Sequence, residues 1–550
     1  MAHRVDEHLL NDDHYNHRVP TSPSLRRPRP PQSALGLFCT RFLSRRRNAI
    51  SLFLSVCIVV FLCVGLVIRD QLDIQKHSRF RPPEYSQETQ ESAPPSYAAV
   101  ARMQVDALFA RQSKTLEQAK ARYALKNDRP PPPGYDKFYQ FARERSCLID
   151  DYNKVYRDFE PFYQLAEHHP SFFPDMLARS MEIAAKDGAL CLSPLTIRDH
   201  KATGSPHYAP YEGDWVKLFE ILGPLLPDMD LLFNYQDEPR VLFNTRRPDA
   251  YEFALKKLDR NPFHQGPRPT KEYYEAATPH QCLLPNSAKG FGNITNDLNA
   301  FMLSSTSTQH THDLYPVLSP GRVASCFADI IVPSSFYYDR SWFAARTSWP
   351  DDVAWADKKS AIYWRGHTSG GAVDGKNYLG FPRFRIIDFA RRRPDIIDAA
   401  LTGLHNCNPD PNNAGNAVCP EDEIKALYEV DSPPQLREEI YKYKYTLDLD
   451  GNGFSGRFMG LLRSGSLVFK STIISDFFDD WLLPYVHYIP VLPDLSDLVA
   501  KIEWAIANDA EARQIQANGL EVATRIITDD QMDCYHLAVF LEHARLQKRP

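Results

Sequence analysis

The 550-residue sequence lacks several features that indicate particular functions. It has no excess of basic residues, because 64 Lys and Arg stand against 69 Asp and Glu, for a formal net charge of -5. Such a chain has no global positive field, so no nucleic-acid partner is expected. It has neither a close CxxC pair nor an HExxH array, so no zinc site is indicated. A P-loop motif is missing as well, and no internal repeat indicates a solenoid.

The first feature that is present is an apolar run near the N-terminus. Residues 49–68, AISLFLSVCIVVFLCVGLVI, carry no charge and would span ~30 Å as a helix. The run is long for a signal-peptide core and starts far into the chain, so an uncleaved transmembrane anchor is predicted. The arginines that precede it favour a cytosolic N-terminus. They are Arg41, Arg45, Arg46 and Arg47.

Composition divides the remaining chain into non-globular and folded parts. Residues 1–48 are rich in Pro, Arg, His and Ser and are predicted to form a disordered cytosolic tail. Residues 69–134 are polar, end in RPPPPG and are predicted to form a stem or linker. The folded region is expected to start near Tyr135. Its length exceeds what one core usually serves, so two folded domains are predicted, 135–350 and 351–546.

The anchor orientation places everything after Arg69 in a lumen or outside the cell, where disulfides persist. Cys407 and Cys419 bracket the loop NPDPNNAGNAV and are the best local disulfide candidates, with two isolated buried thiols as the alternative. Asn293 begins an N-glycosylation sequon that fits this location.

From Lys359 onward, strand and helix patterns alternate. The strands SAIYWRG, YKYTLDLD and SLVFK are separated by helical patterns such as FRIIDFARRR and GRFMGLLRSG. Alternation of this kind predicts an α/β fold with a parallel sheet that is covered on both faces.

Two turns of this region are candidate ligand sites. The strand ending near Asp450 runs into a Gly- and Ser-containing turn, and Arg457 follows it. The carboxyl end of a parallel strand is where ligands collect, and an arginine there suits a diphosphate. The turn RGHTSGG after the strand SAIYWRG repeats this pattern. A glycine turn with an exposed arginine, and a flexible surface loop, are the alternative interpretations.

Carboxylates at two strand ends are further candidates. Asp237 and Glu238 follow the apolar strand MDLLFNY, and one of them could take a proton from a hydroxyl group. An acidic pair before proline is also a common turn device. Asp448 and Asp450 share one face of a strand and could serve a divalent ion.

The sequence also resembles a known family. YKYTLDLDGNGFSGR, with GSLVFK, WLLPYVHYIPVLPDLSDL and EWAIAND downstream, resembles the CAP10-like glycosyltransferases of family GT90. That family includes fungal capsule-associated xylosyltransferases and animal protein O-glucosyltransferases. YWRGHTSGG, DEPR and RPPPPGYDKFYQFARE are similar to the fungal members, so the resemblance covers roughly residues 130–546. It implies a GT-B fold, with Rossmann-like domains facing a cleft. Residues 135–350 would be the acceptor side, and 351–546 would bind the nucleotide sugar, with the final helix crossing back.

The resemblance also assigns site residues for an inverting transfer. Asp237 matches the catalytic base, and His367 departs from the small or hydroxyl residue expected at its position. The departing UDP would be held by arginine and backbone donors with no obligatory metal, and Mn²⁺ dependence is the alternative. The positions matching the donor site are Arg365, Gly366, Thr368, Ser369, Arg383, Asn452, Gly453, Phe454, Ser455 and Arg457.

The expected function is therefore a single-pass type II glycosyltransferase of the Golgi membrane with a luminal catalytic domain. It would move a sugar, expected to be xylose, from a UDP-sugar to a glycan hydroxyl. The chain ends QKRP and not in an ER-retention tetrapeptide, which favours the Golgi. A protein O-glucosyl- or xylosyltransferase with a glycoprotein acceptor, and a catalytically inactive luminal binding protein, are the alternatives.

Overall fold

The computed structural model describes residues 96–548. The gaps are 205–208, 247–248, 257–304, 308, 324–325, 342–343, 345–352, 408–417, 431 and 434–435. The predicted tail, the predicted anchor at 49–68 and the sequon at Asn293 lie outside the described residues. Within the part that is described, no helix is both long and apolar enough to cross a bilayer.

Helices and short strands alternate along this part of the chain. The helices are α1 Tyr97–Ala110, α2 Leu116–Asn127, α3 Tyr135–Glu144, α4 Asn153–His168, α5 Phe172–Lys186, α6 Ala209–Leu222, α7 Ala250–Leu255, α8 Pro382–Arg392, α9 Glu421–Tyr428, α10 Phe458–Arg463, α11 Leu498–Ala507, α12 Asp509–Arg525 and α13 Asp529–Gln547. The strands are β1 Leu192–Arg198, β2 Lys201–Thr203, β3 Met229–Asn234, β4 Leu318–Ser319, β5 Arg322–Val323, β6 Ile330–Ile331, β7 Lys359–Gly366, β8 Ile397–Leu401, β9 Tyr443–Leu449, β10 Leu467–Ser471, β11 Ile474–Ser475 and β12 Ile489–Val491.

The strands of the C-terminal half form a parallel sheet in the order β12-β10-β9-β7-β8. Alternation along the strands gives it two different faces. One face carries Ile362, Trp364 and Leu447, which pack with α8, α11 and α12 in an apolar core. The other face carries Asp448 and Lys470 and lies against α10. The prediction of a parallel sheet with helices on both faces is confirmed.

The sheet of the N-terminal half is mixed and has the order β2-β1-β3-β4-β6. Strand β1 pairs antiparallel with both β2 and β3, whereas the β3-β4 and β4-β6 pairs are parallel. The β1-β2 hairpin turns at Asp199 and His200, whose φ angles of 49° and 65° suit a tight hairpin. This half therefore differs from the wholly parallel, Rossmann-like sheet that the resemblance implies.

Packing also begins earlier in the chain than Tyr135. Helix α1 lies against α12, although both α1 and α2 fall in the range predicted as stem. The Tyr123 hydroxyl of α2 donates a 2.5 Å hydrogen bond to Glu542 of α13. Helices α1 and α2 therefore contribute buried contacts to the folded part.

The last helix, α13, runs along the N-terminal half. It packs against α3, α4, α5 and β3, and nearly all of its residues are buried. The described residues form one compact unit, so a division into two domains facing a cleft stays a prediction. The disulfide between Cys147 and Cys534 joins the segment after α3 to α13. The predicted bridge between Cys407 and Cys419 is present.

We predict that removing the long-range bridge costs more stability than removing the local one. Cys147 and Cys534 are 387 residues apart, whereas Cys407 and Cys419 are 12 apart. The cost of loop closure grows with loop length, so double serine variants should lose about 5 and about 3 kcal/mol of unfolding free energy, respectively. Urea unfolding of the full-length chain measures both. An equal or larger loss for the local bridge would contradict this account.

Candidate active site

Three loops meet at the carboxyl edge of the parallel sheet. Strand β7 leads into residues 366–371, β8 into 402–406 and β9 into 450–455. Parallel neighbouring strands end at the same edge, which is the usual ligand-binding edge of such a sheet. The two predicted turns are therefore neighbours, and the loop after β8 joins them.

The turn after β9 also lies directly against the turn that carries Asp237. A Cβ atom built on Gly453 would lie 1.9 Å from the carbonyl oxygen of Asp237. Only a residue without a side chain fits there, because such a contact is far inside van der Waals distance. The structure thus brings the predicted base and the predicted donor turn together.

Arg383, at the start of α8, connects the two predicted turns. Its Nε donates to the carbonyl of Asp450 at 2.9 Å, and its Nη1 donates to the carbonyl of His367 at 2.9 Å and to Ser369 Oγ at 2.7 Å. Burial, and then the charge of Arg457, lower the pKa of Arg383 to about 9. The guanidinium therefore keeps its positive charge at neutral pH.

Arg457 adds a second cation to the same edge. Its Nη1 donates to the carbonyl of Arg365 at 2.7 Å, so it connects the end of β7 to the turn after β9. The guanidinium carbons of Arg457 and Arg383 each lie 6.0 Å from the Trp364 ring. Two guanidinium groups grouped around one indole form a positively charged corner that suits an anionic ligand.

Asn452 joins this corner to a loop that the sequence did not single out. Its Oδ1 accepts hydrogen bonds from the Gly370 amide at 3.1 Å and from Asn406 Nδ2 at 2.7 Å. Asn406 has a φ of 58° and directly precedes the disulfide residue Cys407. The only sequence feature that pointed to Asn406 was its position next to the loop between Cys407 and Cys419.

Several predicted donor-site residues are engaged by the protein itself. Thr368 is buried, and its hydroxyl donates to the His405 carbonyl at 3.0 Å and accepts from the His405 amide at 2.7 Å. The Arg365 guanidinium contacts Asp398 at 2.7 Å and lies over Tyr363, so the structure does not bring it to the Arg383 corner. These side chains support the loops.

The other residues at the first turn form its surface. A Cβ on Gly366 would lie 2.8 Å from the Trp364 ring, which explains the glycine there. His367, the residue that departs from the family pattern, is exposed and stacks on His405 with ring centroids 4.4 Å apart. Burial and the neighbouring His405 lower the pKa of His367, so its imidazole is mainly neutral at pH 7.

The two carboxylates at the end of β9, Asp448 and Asp450, each contact protein groups. Asp448 contacts Lys470 Nζ at 2.9 Å and accepts a hydrogen bond from Ser455 Oγ at 2.5 Å. Asp450 accepts from the Ile473 amide at 2.8 Å, and burial raises its pKa to about 6. Among the residues that the structure describes, no group of three or more His, Cys, Asp or Glu is placed to hold a metal ion.

The turn after β3 is built to present one carboxylate. Asn234 Oδ1 accepts from the Gln236 amide at 3.0 Å, and its Nδ2 donates to the Glu238 carbonyl at 2.9 Å. Glu238 is buried, and burial together with the Asp237 charge raises its pKa to about 8. Asp237 is exposed. The acidic pair thus consists of one largely protonated, buried acid and one acid at the surface.

Arg240, the last residue of DEPR, supports this turn from its buried side. Arg240 is fully buried, its amide donates to Asp329 at 2.9 Å, and its Nη1 donates to Gln236 Oε1 at 2.7 Å. Burial lowers the pKa of Arg240 to about 10, so it remains charged.

Asp237 lines a narrow pocket with aromatic walls. The rings of Trp215, Phe336 and Phe454 line it together with Asp237. Phe454 comes from the turn after β9, and its ring lies 5.9 Å from that of Phe336. The turns after β3 and after β9 therefore both contribute to one pocket, which the exposed Asp237 carboxylate borders.

Comparison with known proteins gives a family for part of the chain. Residues 343–550 match Glycosyl transferase family 90. The chain is 32% identical over 194 residues to Protein O-glucosyltransferase 2 of Danio rerio, covering 35% of this chain and 34% of that protein. It is 25% identical over 197 residues to Protein O-glucosyltransferase 3 of Homo sapiens, with 35% and 34% covered. These matches span about a third of each relative.

A longer match is to Protein O-glucosyltransferase 1 of Bos taurus. It is 23% identical over 427 residues, which covers 76% of this chain and 89% of that protein. The similarity therefore extends well beyond the parallel sheet, at a lower identity.

We predict that Gly453→Ala is damaging and that Gly451→Ala is tolerated. The new methyl group of Gly453→Ala would collide with the Asp237 backbone, whereas on Gly451 its nearest neighbour would lie 3.6 Å away. Overpacking of this kind should lower the unfolding free energy by about 1–3 kcal/mol. Thermal unfolding of both variants measures the difference. Equal melting temperatures would show that the two turns do not touch.

Proposed function

We propose that this chain, whose residues 343–550 match Glycosyl transferase family 90, is an inverting glycosyltransferase with a UDP-sugar donor. Asp237 is its general base, and the donor lies at the carboxyl edge of the parallel sheet. The observation that carries the proposal is the contact between Gly453 and the Asp237 backbone. It fixes an exposed carboxylate beside the turn where a sugar diphosphate would bind.

The reaction is a single displacement. Asp237 takes the proton of the acceptor hydroxyl as its oxygen forms a bond to the anomeric carbon. The bond from that carbon to the diphosphate oxygen breaks on the opposite side, and its electron pair leaves with UDP. The configuration at the anomeric carbon is inverted because one displacement occurs.

The charges at the sheet edge suit this leaving group. Arg383 and Arg457 surround Trp364 and are buried or partly buried, which strengthens their interaction with an anion. Negative charge builds up on the diphosphate as the sugar leaves. Preorganised cations at this point stabilise the transition state more than the bound substrate.

The donor sugar and the acceptor define two candidate functions. The first is transfer of xylose to a glycan, the expectation from the sequence resemblance to fungal members. The second is transfer of glucose to a protein hydroxyl, which is favoured by the names of the relatives from Danio rerio, Homo sapiens and Bos taurus. Both use the same base and the same leaving group.

The proposed location is the Golgi membrane. Residues 49–68 would anchor the chain in type II orientation, with the catalytic part in the lumen. The disulfides Cys147–Cys534 and Cys407–Cys419 support an oxidising compartment for this part of the chain.

We predict that Asp237→Asn strongly slows transfer while UDP still binds. Loss of the base should reduce turnover by a factor of about 10²–10⁴ with the best donor of a UDP-sugar panel that includes UDP-xylose and UDP-glucose. Product formation and UDP calorimetry on the full-length chain measure the two effects. Glu238→Gln is the matched control, because Glu238 is already largely protonated at pH 7 and its neutral amide keeps an acceptor oxygen.

The outcomes separate the candidate functions. Activity of Asp237→Asn at the wild-type level would rule out the base assignment. A wild-type chain that binds UDP but turns over no donor would instead support the inactive binding protein. The preferred donor, tested with glycan and peptide acceptors, chooses between the first and second candidates.

We further predict that EDTA leaves transfer unchanged. Asp448 and Asp450 are held by Lys470, Ser455 and Ile473, and the leaving group has guanidinium partners. Initial rates before and after chelation test this. A loss of activity that Mn²⁺ restores would establish metal dependence.

A further inference from the structure

We propose that Lys470 is a positioning residue of the donor site, acting through Asp448 and the Ser455 hydroxyl to hold the turn 451–455 against Asp237. This inference rests on the proposed function for its kinetic readout. Its second readout, UDP affinity, is independent of transfer.

The ion pair at its centre is set by strand register. Lys470 of β10 and Asp448 of β9 are direct partners in the parallel ladder, so their side chains leave the same face of the sheet. Nζ and Oδ2 are 2.9 Å apart, and the two side chains are 4% and 0% exposed. A pair so deeply buried has few alternative geometries, because each charge depends on the other for compensation.

The pair reaches the donor turn through one hydroxyl group. Ser455 Oγ donates to Asp448 Oδ1 at 2.5 Å, and Ser455 is 3% exposed. A serine hydroxyl can donate one hydrogen bond, and here Asp448 accepts it. Ser455, a position that the family resemblance matches to the donor site, therefore uses its hydroxyl to fix the turn.

Lys470 is the buried cation of an acidic cluster beneath this turn. Burial disfavours its charge, but Asp448, Asp476 and Asp450 outweigh that effect and raise the pKa of Lys470. The Phe458 ring, 3.9 Å from Nζ, covers it from the side of α10. Removal of this cation would leave Asp448 buried without its charge partner, so the carboxyl group would lose the contact that fixes its position beside Ser455.

Ser455 is also held from the N-terminal half. The Tyr337 hydroxyl donates to the Ser455 carbonyl at 3.1 Å, and its ring lies 5.5 Å from that of Phe454. The turn is thus fixed on one side by Tyr337 and on the other by the ion pair. Between these restraints Gly453 meets the Asp237 backbone with no spare room. A displacement of ~1 Å at this point would change the distance between base and donor, which is sufficient to slow catalysis severely.

A double-mutant cycle on Ser455→Ala and Asp448→Ala tests the inference, because alanine at 448 removes the oxygen that accepts from Ser455. If the hydroxyl acts through Asp448, each variant should raise the UDP Kd and the donor KM by about tenfold, and the double variant should show no further loss. Calorimetry with UDP and initial-rate kinetics on the full-length chain give the two readouts. If the hydroxyl binds the donor independently of Asp448, the effects multiply, and the inference is overturned. Unchanged UDP affinity in both single variants would also overturn it.

Lys470 itself is tested by a conservative pair. Lys470→Arg keeps a cation beside Asp448 and should retain more UDP affinity than Lys470→Met, which removes it. Equal UDP affinity in the two variants would contradict the positioning role. If Lys470→Met does not fold, the cycle on Ser455 and Asp448 decides alone.

Ser466→Ala is the matched control for a lost buried hydroxyl. Ser466 is 1% exposed, and its hydroxyl donates to the Tyr443 carbonyl at 2.8 Å, at the opposite end of the same pair of strands. Ser466→Ala should lower the melting temperature about as much as Ser455→Ala does, and it should leave the UDP Kd unchanged. A similar loss of UDP affinity in Ser466→Ala would mean that the Ser455 effect is general destabilisation. The wild-type chain could show no transfer while the UDP affinities of the Ser455 and Asp448 variants are still coupled. That result would refute the proposed function and leave the positioning role in place.

Discussion

Much of the candidate site depends on one backbone contact. The turn after β9 can approach the Asp237 carbonyl only because residue 453 is glycine. That approach places the Asp237 turn of the mixed sheet against the turn of the parallel sheet that Arg383 contacts. Neither sheet supplies both charges, so the proposed chemistry requires the two turns to be in contact. The buried supports on each side, Arg240 beneath one turn and Asp448 beneath the other, keep this contact from relaxing.

The two turns are stabilised by different means. The Asp237 turn is held by neutral amide contacts from Asn234 and by the buried Arg240, which leaves Asp237 as its surface charge. The turn after β9 is held by a buried ion pair and by Arg383, whose donors go to backbone carbonyls and Ser369. Buried charges with several fixed partners restrict geometry more than they add stability. Such an arrangement suits a site in which distances matter more than unfolding free energy.

The sequence predicted the parallel sheet well because its strands are short apolar runs that alternate with helical patterns, as in YKYTLDLD followed by GRFMGLLRSG. It also located Asp237 and Gly453 at strand ends. It could not reveal that they touch, since contact between residues more than two hundred positions apart has no local signature. The antiparallel pairing of β1 was not predicted, although β2 follows it directly across the tight turn at Asp199 and His200. Thr368, Ser455 and the Arg365 guanidinium show a second limit: a polar residue at a strand end has the same pattern whether it faces a ligand or supports a loop.

Formation of the disulfide at Cys407 affects the loops at the carboxyl edge of the parallel sheet. Asn406, its immediate neighbour, donates to the same Asn452 oxygen that receives the Gly370 amide. Covalent closure of the 407–419 loop therefore restrains the residue that completes the contact among three loops. Material produced in a reducing host compartment would fold its strands but lack this restraint, so recombinant preparations should be compared by their oxidation state before their kinetics are compared.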